Sequence, residues 1–167
     1  MSLRIVVMGV SGCGKSTVAA GIAEQIGGTF TDGDDLHAPE SIAKMAAGHP
    51  LNDDDRFPWL TRVGQALAQG EGPQVVACSA LKRIYRDRIR AAAGVPVRFV
   101  CLQGTPELLW QRMQARQGHF MPAALLNSQL ATLEPPGCDE DAVIVSIDQA
   151  PGAIVRDALS VIVKPTE

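Results

Sequence analysis

An octet near the start of the chain reads Gly9-Val10-Ser11-Gly12-Cys13-Gly14-Lys15-Ser16. It matches the pattern G-x-x-x-x-G-K-[ST], in which a glycine-rich turn joins a buried strand to a helix. Residues 3–8 before it form an apolar run, and residues 18–26 after it repeat apolar side chains at helical spacing. Because strand, turn and helix follow in this order, we predict that the octet is a phosphate-binding loop.

The residue types in this loop explain how it would hold phosphate. Glycine at three positions lets successive backbone N–H groups point at an anion, and the dipole of the following helix adds to that field. Lys15 can then reach the outer phosphates, while the Ser16 hydroxyl is suited to bind a magnesium ion that bridges them. A chance match, the alternative, is expected in about one chain in a hundred or fewer. The predicted nucleotide-binding residues are Gly9, Gly12, Cys13, Gly14, Lys15, Ser16 and Thr17.

The bulk composition restricts the class of protein. At 167 residues, with 46% apolar and 20% charged residues, the chain fits one soluble globular domain, residues 1–167. A net charge of −3 gives no general attraction to nucleic acid or to an anionic membrane, so neither is expected as a partner. No apolar run approaches the ~18 residues of a membrane span, and the first residues lack a signal-peptide pattern. The four cysteines have no metal-binding spacing, so we expect reduced thiols in the cytoplasm.

Strand-like apolar segments alternate with helical ones along the chain. Five strands are predicted, near residues 3–8, 29–31, 75–78, 97–102 and 143–147. This alternation is typical of a three-layer α/β protein, in which helices cover both faces of a parallel sheet. Two irregular helical insertions, about 35–70 and about 112–133, are expected to form an acceptor-binding insertion and a mobile lid. Within the first, Pro39 begins a helix whose predicted apolar side carries Ile42 and Met45.

Two acidic side chains follow the second strand, in the sequence Asp32-Gly33-Asp34. In an open parallel sheet ligands bind at the carboxyl ends of the strands, so these residues should share an edge with the phosphate loop. One carboxylate could hold magnesium through water, and the other could accept the proton of an acceptor hydroxyl. The alternative is simple turn chemistry, since Asp-Gly is a favoured turn pair. Beside a phosphate loop we favour the catalytic interpretation.

Basic side chains on two helices are candidates for binding an anionic acceptor. Arg56 follows three aspartates, so it would either grip a carboxylate or phosphate or form a local salt bridge with Asp53 or Asp54. Lys82, Arg86 and Arg90 recur every fourth residue, on one face of a later helix. We expect Lys82 and Arg86, which are nearest the preceding strand, to reach substrate, and Arg90 to be solvated.

A further pair of arginines precedes a glycine break in the second insertion. Arg112 and Arg116 are one helical turn apart, as expected for a lid that brings arginines over ATP when it closes. The alternative is that they are ordinary surface charges. His119 in the same segment, and His37 after the acidic turn, are expected to contact substrate.

In its motifs the chain resembles the bacterial gluconokinases of the shikimate-kinase-like branch. The phosphate loop alone indicates a superfamily, whereas the acceptor-side motifs are specific to this family. Cys13 departs from the commoner serine. The shared residues run over most of the chain and are Met8 to Ser16, Asp32-Gly33-Asp34 with Leu36-His37, Lys44-Met45, Pro50 to Arg56 with Pro58-Trp59-Leu60, Cys78 to Lys82 with Tyr85-Arg86-Asp87, Arg116 with Gly118-His119-Phe120, and Asp148-Gln149.

The resemblance implies a reaction, a fold and a set of roles. The reaction is transfer of the γ-phosphoryl group of ATP, with Mg²⁺, to the 6-hydroxyl of D-gluconate. The fold is a P-loop kinase fold with a five-stranded parallel sheet in the order 2-3-1-4-5. By this resemblance Asp34 orients the acceptor and is the general base, and Asp32 binds the water shell of the metal. Arg56 grips the sugar acid, and Lys15 and Arg116 take part in catalysis. Arg112 and Arg116 belong to the lid, and residues 148–151, Asp148 to Pro151, contact adenine.

Two alternatives stay open at this point. A kinase on the same scaffold could act on shikimate or a nucleoside monophosphate, because acids and an arginine facing a phosphate donor suit several acceptors. A nucleotide-gated regulatory module, such as a GTPase, is less favoured because the chain lacks an N-K-x-D guanine motif. The oligomeric state is also open, with a homodimer as one option.

Overall fold

The computed structural model describes residues 2–115 and 123–163. The strands are β1 (Arg4–Met8), β2 (Thr29–Asp32), β3 (Gln74–Ala77), β4 (Arg98–Gln103) and β5 (Ala142–Ser146). They form one sheet in the order β2-β3-β1-β4-β5, and every neighbouring pair is parallel. The predicted strand order is therefore confirmed.

Helices cover both faces of this sheet. They are α1 (Lys15–Ile26), α2 (Pro39–Ala46), α3 (Asp53–Ala68), α4 (Arg83–Ala93), α5 (Pro106–Ala115), α6 (Ala123–Thr132) and α7 (Pro151–Ile162), with a 3₁₀ turn at Gly33–Leu36. Buried side chains of α1, α5, α6 and α7 share one core cluster, and those of α3 and α4 share the cluster on the opposite face. This is the expected three-layer α/β architecture. Among the described residues, none of the helices has the length and apolar content needed to cross a membrane.

The register of the strands brings the predicted chemistry to one edge. Ala77 at the end of β3 pairs with Val7 of β1 on one side and with Asp32 of β2 on the other. β1 runs directly into the phosphate loop, and β2 runs directly into the acidic turn. The loop and the turn are therefore two strands apart at the same edge, as predicted for a ligand site.

A capping box sets the start of α3. The side chain of Asn52 accepts a hydrogen bond from the Asp55 N–H at 2.8 Å, and the Asp55 carboxylate accepts one from the Asn52 N–H at 3.0 Å. This reciprocal pair fixes the first helical turn, on which Asp53 and Arg56 lie three residues apart. The acidic stretch is thus a helix start, and it holds Arg56 in a defined orientation.

The prediction of an inward apolar side for α2 is wrong. Ile42 and Met45 are 51% and 42% exposed, and Ser41 is the buried residue of this helix. Neither core cluster includes a side chain of α2, because this short helix lies outside the two layers that cover the sheet.

The predicted lid, about 112–133, is only partly within the described residues. Arg112 lies on α5, while Arg116 and His119 lie outside the described residues. At the far end of the segment, α6 packs on the body of the protein, because Leu126 is buried in the same cluster as Leu109 and Met113 of α5. The motion of a lid stays a prediction.

Candidate active site

A cleft of about 570 Å³ opens at the carboxyl edge of the sheet. Residues predicted from three separate parts of the chain meet there: the phosphate loop, the acidic turn and the start of the second insertion. Its lining residues are Ser11, Gly12, Cys13, Gly14, Lys15, Ser16, Thr17, Val18, Asp32, Asp34, Arg112, Pro151 and Ile154. Gly9, the first residue of the octet, lies behind this lining at the end of β1.

The conformation of the loop requires its glycines. Gly12 and Gly14 have φ of 84° and 86°, a left-handed region that other residues adopt at a cost. A Cβ on Gly12 would also lie 2.5 Å from Met113 Cγ, so the loop passes too close to α5 for a side chain. The Lys15 ammonium donates to the Val10 carbonyl at 3.2 Å and so lies folded across the loop. The loop therefore has the shape of an anion cradle.

The acidic turn is built around Asp32. One carboxylate oxygen accepts a hydrogen bond from the Asp34 N–H at 3.0 Å, and the other accepts one from the Ser16 hydroxyl at 3.3 Å. This brings together the two predicted metal-side residues. A hydroxyl and a carboxylate are hard oxygen ligands, which fit Mg²⁺ held mainly by phosphate and water. No group of three or more His, Cys, Asp or Glu side chains suited to a metal occurs in the described ranges.

Gly33 packs this turn closely against β3 and α3. A Cβ at this position would lie 2.3 Å from the Ala77 carbonyl oxygen, so only glycine lets the turn pack on β3. The Gly33 carbonyl accepts a hydrogen bond from the Trp59 indole at 2.7 Å. Asp32 and Asp34 are thus held on either side of an anchored backbone, and Trp59 is a buried packing residue.

Charged and phenolic side chains from α3 and α4 form what we call the acceptor cluster: Asp53, Arg56, Lys82 and Tyr85. The Lys82 ammonium lies 3.2 Å from both Asp53 carboxylate oxygens, and the Tyr85 hydroxyl donates to the same carboxylate. Arg56 donates to the Tyr85 hydroxyl at 3.1 Å, and its guanidinium lies 3.9 Å from Asp53. Arg56 therefore makes the local pair with Asp53, although loosely, and the grip on an anionic ligand stays a prediction. Two cations and one carboxylate leave the cluster with an excess positive charge.

The proton equilibria of this cluster follow from those contacts. Hydrogen bonds from Tyr85 and Lys82 lower the pKa of Asp53, and the hydrogen bond to Asp53 raises the pKa of Lys82. Burial raises the pKa of Tyr85, and its hydrogen bond to Asp53 acts in the same direction. At neutral pH the cluster therefore holds a carboxylate, two cations and a neutral phenol.

His37 lies beside this cluster as a neutral ring. Its imidazole stacks on Trp59 with ring centroids 4.2 Å apart, and burial lowers its pKa. Within the described residues, His37 Nδ1 is buried without a hydrogen-bond partner. An unpaired buried nitrogen costs free energy that a ligand hydroxyl could recover, which agrees with the predicted substrate contact.

The prediction that Arg86 reaches substrate is corrected by its surroundings. Its side chain is 0% exposed. Its five N–H donors are all used, by the Glu140 carboxylate and by the carbonyls of Ala80, Leu81 and Glu134. No donor is left for a ligand, and Arg86 is a buried structural arginine.

The prediction that Arg90 is a solvated charge is also wrong. Its guanidinium donates to the Glu140 backbone carbonyl at 2.7 Å and carboxylate at 3.2 Å, and lies 4.6 Å above the centre of the Phe99 ring. The helical spacing that suggested a solvent face is real, but the segment around Glu140 covers that face.

Arg112 contacts the loop at residues 148–151, for which the family resemblance implies contact with adenine. It donates to the carbonyls of Ile147 and, at 3.3 Å, Gln149. Its guanidinium therefore lines the cleft opposite Pro151. The contact of this loop with adenine stays a prediction.

Cys13 is an inert member of the phosphate loop. Its side chain is 0% exposed, and burial raises the pKa of its thiol. These two facts favour a packing residue over a reactive thiolate. Its backbone still lines the cleft.

Sequence reasoning missed three features of this site. Tyr85 is named above only as part of a shared motif, and its hydroxyl joins Arg56 to Asp53. Gln129 on α6 accepts a hydrogen bond from the Ser11 N–H of the phosphate loop at 2.7 Å. Glu140 binds two arginines. No local pattern marks these contacts, because the partners are separated by 29 to 118 positions in the chain.

The sheet order, the glycine-rich loop and the acid pair beside it together define a class. A five-stranded parallel sheet in the order 2-3-1-4-5, with a phosphate loop after its central strand, is the P-loop kinase fold. The acceptor cluster lies on the first turn of α3 and at the start of α4.

Comparison with known proteins narrows the class to a family. A family profile described as an AAA domain matches residues 5–136. The gluconokinase of Gluconobacter oxydans is 46% identical over 159 residues, covering 93% of this chain and 88% of that protein. The thermoresistant gluconokinase of Escherichia coli is 44% identical over 164 residues, covering 95% of this chain and 93% of that protein. A crystal structure of a gluconokinase from Sinorhizobium meliloti has a TM-score of 0.87 and 52% identity, over 95% of this chain and 90% of that one. The chain belongs to the gluconokinase family.

Proposed function

We propose that the protein transfers the γ-phosphoryl group of ATP to the 6-hydroxyl of D-gluconate, giving 6-phospho-D-gluconate and ADP. The observation that carries this proposal is that a chain of the gluconokinase family has both a phosphate cradle and a charged acceptor cluster. A nucleotide-gated regulatory module does not bind a phosphoryl acceptor, so this cluster does not favour that alternative.

On the donor side, the loop amides from Gly12 to Thr17 and the Lys15 ammonium would bind the β- and γ-phosphates. Ser16 and Asp32 would hold Mg²⁺, whose charge offsets the negative charge of the phosphates. The Arg112 guanidinium and Pro151 would flank the adenine, since they line the same cleft.

On the acceptor side, Arg56 and Lys82 would bind the carboxylate of the sugar acid. Arginine suits this role because its planar fork matches a carboxylate. The neutral His37 ring would pair with a substrate hydroxyl through Nδ1. His119 and Arg116, which lie outside the described residues, would complete the site from the lid.

Asp34 would act as the general base. In the reaction the acceptor oxygen forms a bond to the γ-phosphorus while the bond between that phosphorus and the β–γ bridging oxygen breaks. The proton of the hydroxyl passes to the Asp34 carboxylate. Lys15 and Arg116 would stabilise the charge that develops on the transferred group.

We also propose that the protein works in the cytoplasm, which the four free thiols support. A homodimer is the oligomeric state to test, by light scattering at several protein concentrations.

An acceptor panel tests the proposed function. The protein is incubated with MgATP and, separately, with gluconate, shikimate, adenosine monophosphate or glucose, and ADP formation and product mass are measured. We expect turnover with gluconate well above that with the others, and a product phosphorylated at the 6-position. Good turnover of another acceptor with none of gluconate would overturn the proposal.

A further inference from the structure

The short loop between β3 and α4, residues 79–82, connects both halves of the site. The carbonyl of Ser79 accepts a hydrogen bond from the Gly9 N–H of the phosphate loop at 3.3 Å. At its other end, Lys82 is the N-cap of α4 and its ammonium belongs to the acceptor cluster. A change in the path of this loop would therefore move Lys82 relative to α3.

This loop has a backbone that needs outside support. Ala80 has φ of 44°, a left-handed conformation that is unfavourable for a residue with a Cβ. Strained backbone of this kind persists only where surrounding contacts hold it. Two consecutive carbonyls, those of Ala80 and Leu81, point inward to the same partner.

That partner is Arg86. Its Nη1 donates to the Ala80 carbonyl at 2.9 Å and to the Leu81 carbonyl at 3.2 Å. Its Nη2 donates to the Glu134 carbonyl at 2.9 Å, and Glu140 holds the guanidinium from the other side at 2.7 and 3.1 Å. The Glu134 N–H also bonds to the Leu81 carbonyl at 2.8 Å. One buried guanidinium thus joins the loop to the segment that follows α6.

We propose that Arg86 is a positioning residue for the acceptor: by holding the Ala80 and Leu81 carbonyls it sets where Lys82 stands in the acceptor cluster. The proposal rests on the proposed function, because it gives Lys82 a substrate to bind. Arg86 touches neither substrate nor nucleotide, so its effect should appear in acceptor binding and alignment, with nucleotide binding unchanged.

Arg90 provides a matched control. It lies one turn further along α4, is also an arginine, and also binds Glu140. In contrast to Arg86, its side-chain hydrogen bonds go to Glu140 and Asp87, and none reaches residues 79–82. We expect both arginines to contribute to stability, but of the two only Arg86 binds the loop.

The test compares Arg86→Lys with Arg90→Lys in the full-length chain. For each variant the KM for gluconate, the KM for ATP, kcat and the Tm are measured. A lysine at position 86 cannot hold both carbonyls and Glu140, so we expect the gluconate KM to rise about tenfold or more while the ATP KM changes less than about twofold. Arg90→Lys should lower the Tm without separating the two KM values.

Two results would overturn the proposal. One is that Arg86→Lys behaves like Arg90→Lys, and the other is that it raises both KM values in proportion. If Arg86→Lys does not fold, Glu140→Gln takes its place, because it loosens the guanidinium while leaving Arg86 in the chain. We expect that variant to raise the gluconate KM about threefold at constant ATP KM, and no change in gluconate KM would also overturn the proposal.

The proposed function can fail separately. If the wild-type protein turns over a different acceptor in the panel, gluconate is the wrong substrate, and the comparison of Arg86→Lys with Arg90→Lys is made with that acceptor.

Discussion

Asp32 and Asp34 have the same side chain and are two residues apart, but their carboxylates have different partners. Both oxygens of Asp32 are engaged, one by the Asp34 N–H and one by the Ser16 hydroxyl. Asp34 is exposed to the cleft, and no hydrogen bond reaches its carboxylate from the residues that the structure describes. A free carboxylate at the cleft can take a proton from a substrate, which is why we assign the general base to Asp34 and the metal side to Asp32.

This assignment predicts the effect of Asp34→Asn. The amide cannot accept the proton, so kcat should fall by about 10²-fold or more, while the affinity for ATP stays within about twofold. Turnover and ATP binding by calorimetry measure the two effects. Asp35→Asn, which changes the exposed neighbouring carboxylate in the same turn, is the control and should keep kcat. Near-normal turnover in Asp34→Asn would falsify the base assignment.

The charge state of Glu140 links the stability of the fold to acid pH. Burial alone would raise the pKa of its carboxyl, but hydrogen bonds from Arg86 and the Gly137 N–H lower it from 4.5 to about 2. A carboxyl with a lowered pKa in the folded chain stabilises the fold above its unfolded pKa, and this stabilisation is lost as the pH falls through the folded value.

We therefore expect a pH-dependent difference between the wild-type protein and Glu140→Gln. The wild type should have the larger free energy of unfolding, by an amount that is constant above about pH 5 and shrinks between the two pKa values, 4.5 and about 2. Urea unfolding curves at a series of pH values measure it. A difference that does not change over this range would contradict the lowered pKa.

At the scale of elements, the acceptor cluster depends on how closely α3 and α4 approach. Gly64 of α3 faces the backbone of α4, and a Cβ there would lie 2.6 Å from the Ile89 carbonyl oxygen and 2.9 Å from the Ala93 nitrogen. The missing side chain lets the two helices touch, and the four members of the acceptor cluster span the same pair of helices.

Gly64→Ala should therefore affect both stability and the acceptor. We expect a loss of about 1–3 kcal/mol in the free energy of unfolding, because the helices must separate. The gluconate KM should rise more than the ATP KM, since α1, the helix that follows the phosphate loop, packs on the opposite face of the sheet from α3 and α4. Gly152→Ala on α7 is the control: a Cβ there meets no atom within 4 Å, so stability should be unchanged or slightly improved.

The elements also show how far sequence reasoning extends. Apolar runs and glycine stops predicted all five strands and the helices between them, because these signals are local. The strand order came from family resemblance, since alternation alone does not order a sheet. The misassigned arginines, Arg86 and Arg90, have correct helical spacing, but their partner Glu140 is 50 to 54 positions away. The exposure of Ile42 was missed for the same reason, because periodicity does not reveal whether a second layer covers the apolar side.

At the scale of the whole molecule, the reactivity of the four thiols indicates whether the sheet is folded. Cys138 is exposed, while Cys13, Cys78 and Cys101 are buried. Burial raises the pKa of Cys78 to about 12 and that of Cys101 to about 11, and it raises the pKa of Cys13 as well. The buried thiols lie on the central strands or next to them.

We expect one thiol of the native protein to react rapidly with an aromatic disulfide reagent near pH 8, and three to react only as the chain unfolds. Cys138→Ser should remove the rapid phase. Rapid reaction of a second thiol that MgATP blocks would contradict the burial of Cys13 and would make the phosphate loop sensitive to oxidation.

The central strand of the sheet precedes both of its neighbours in the chain. β1 pairs with β3, about 70 residues later, and with β4, about 93 residues later. During synthesis the phosphate loop therefore leaves the ribosome long before either strand that supports it. Loop closures of this length slow folding. Until β3 and β4 have been synthesised, β1 is an unpaired apolar strand that can aggregate. Nascent chains that end before Gln103 should thus be unable to bind nucleotide, although they carry the entire loop.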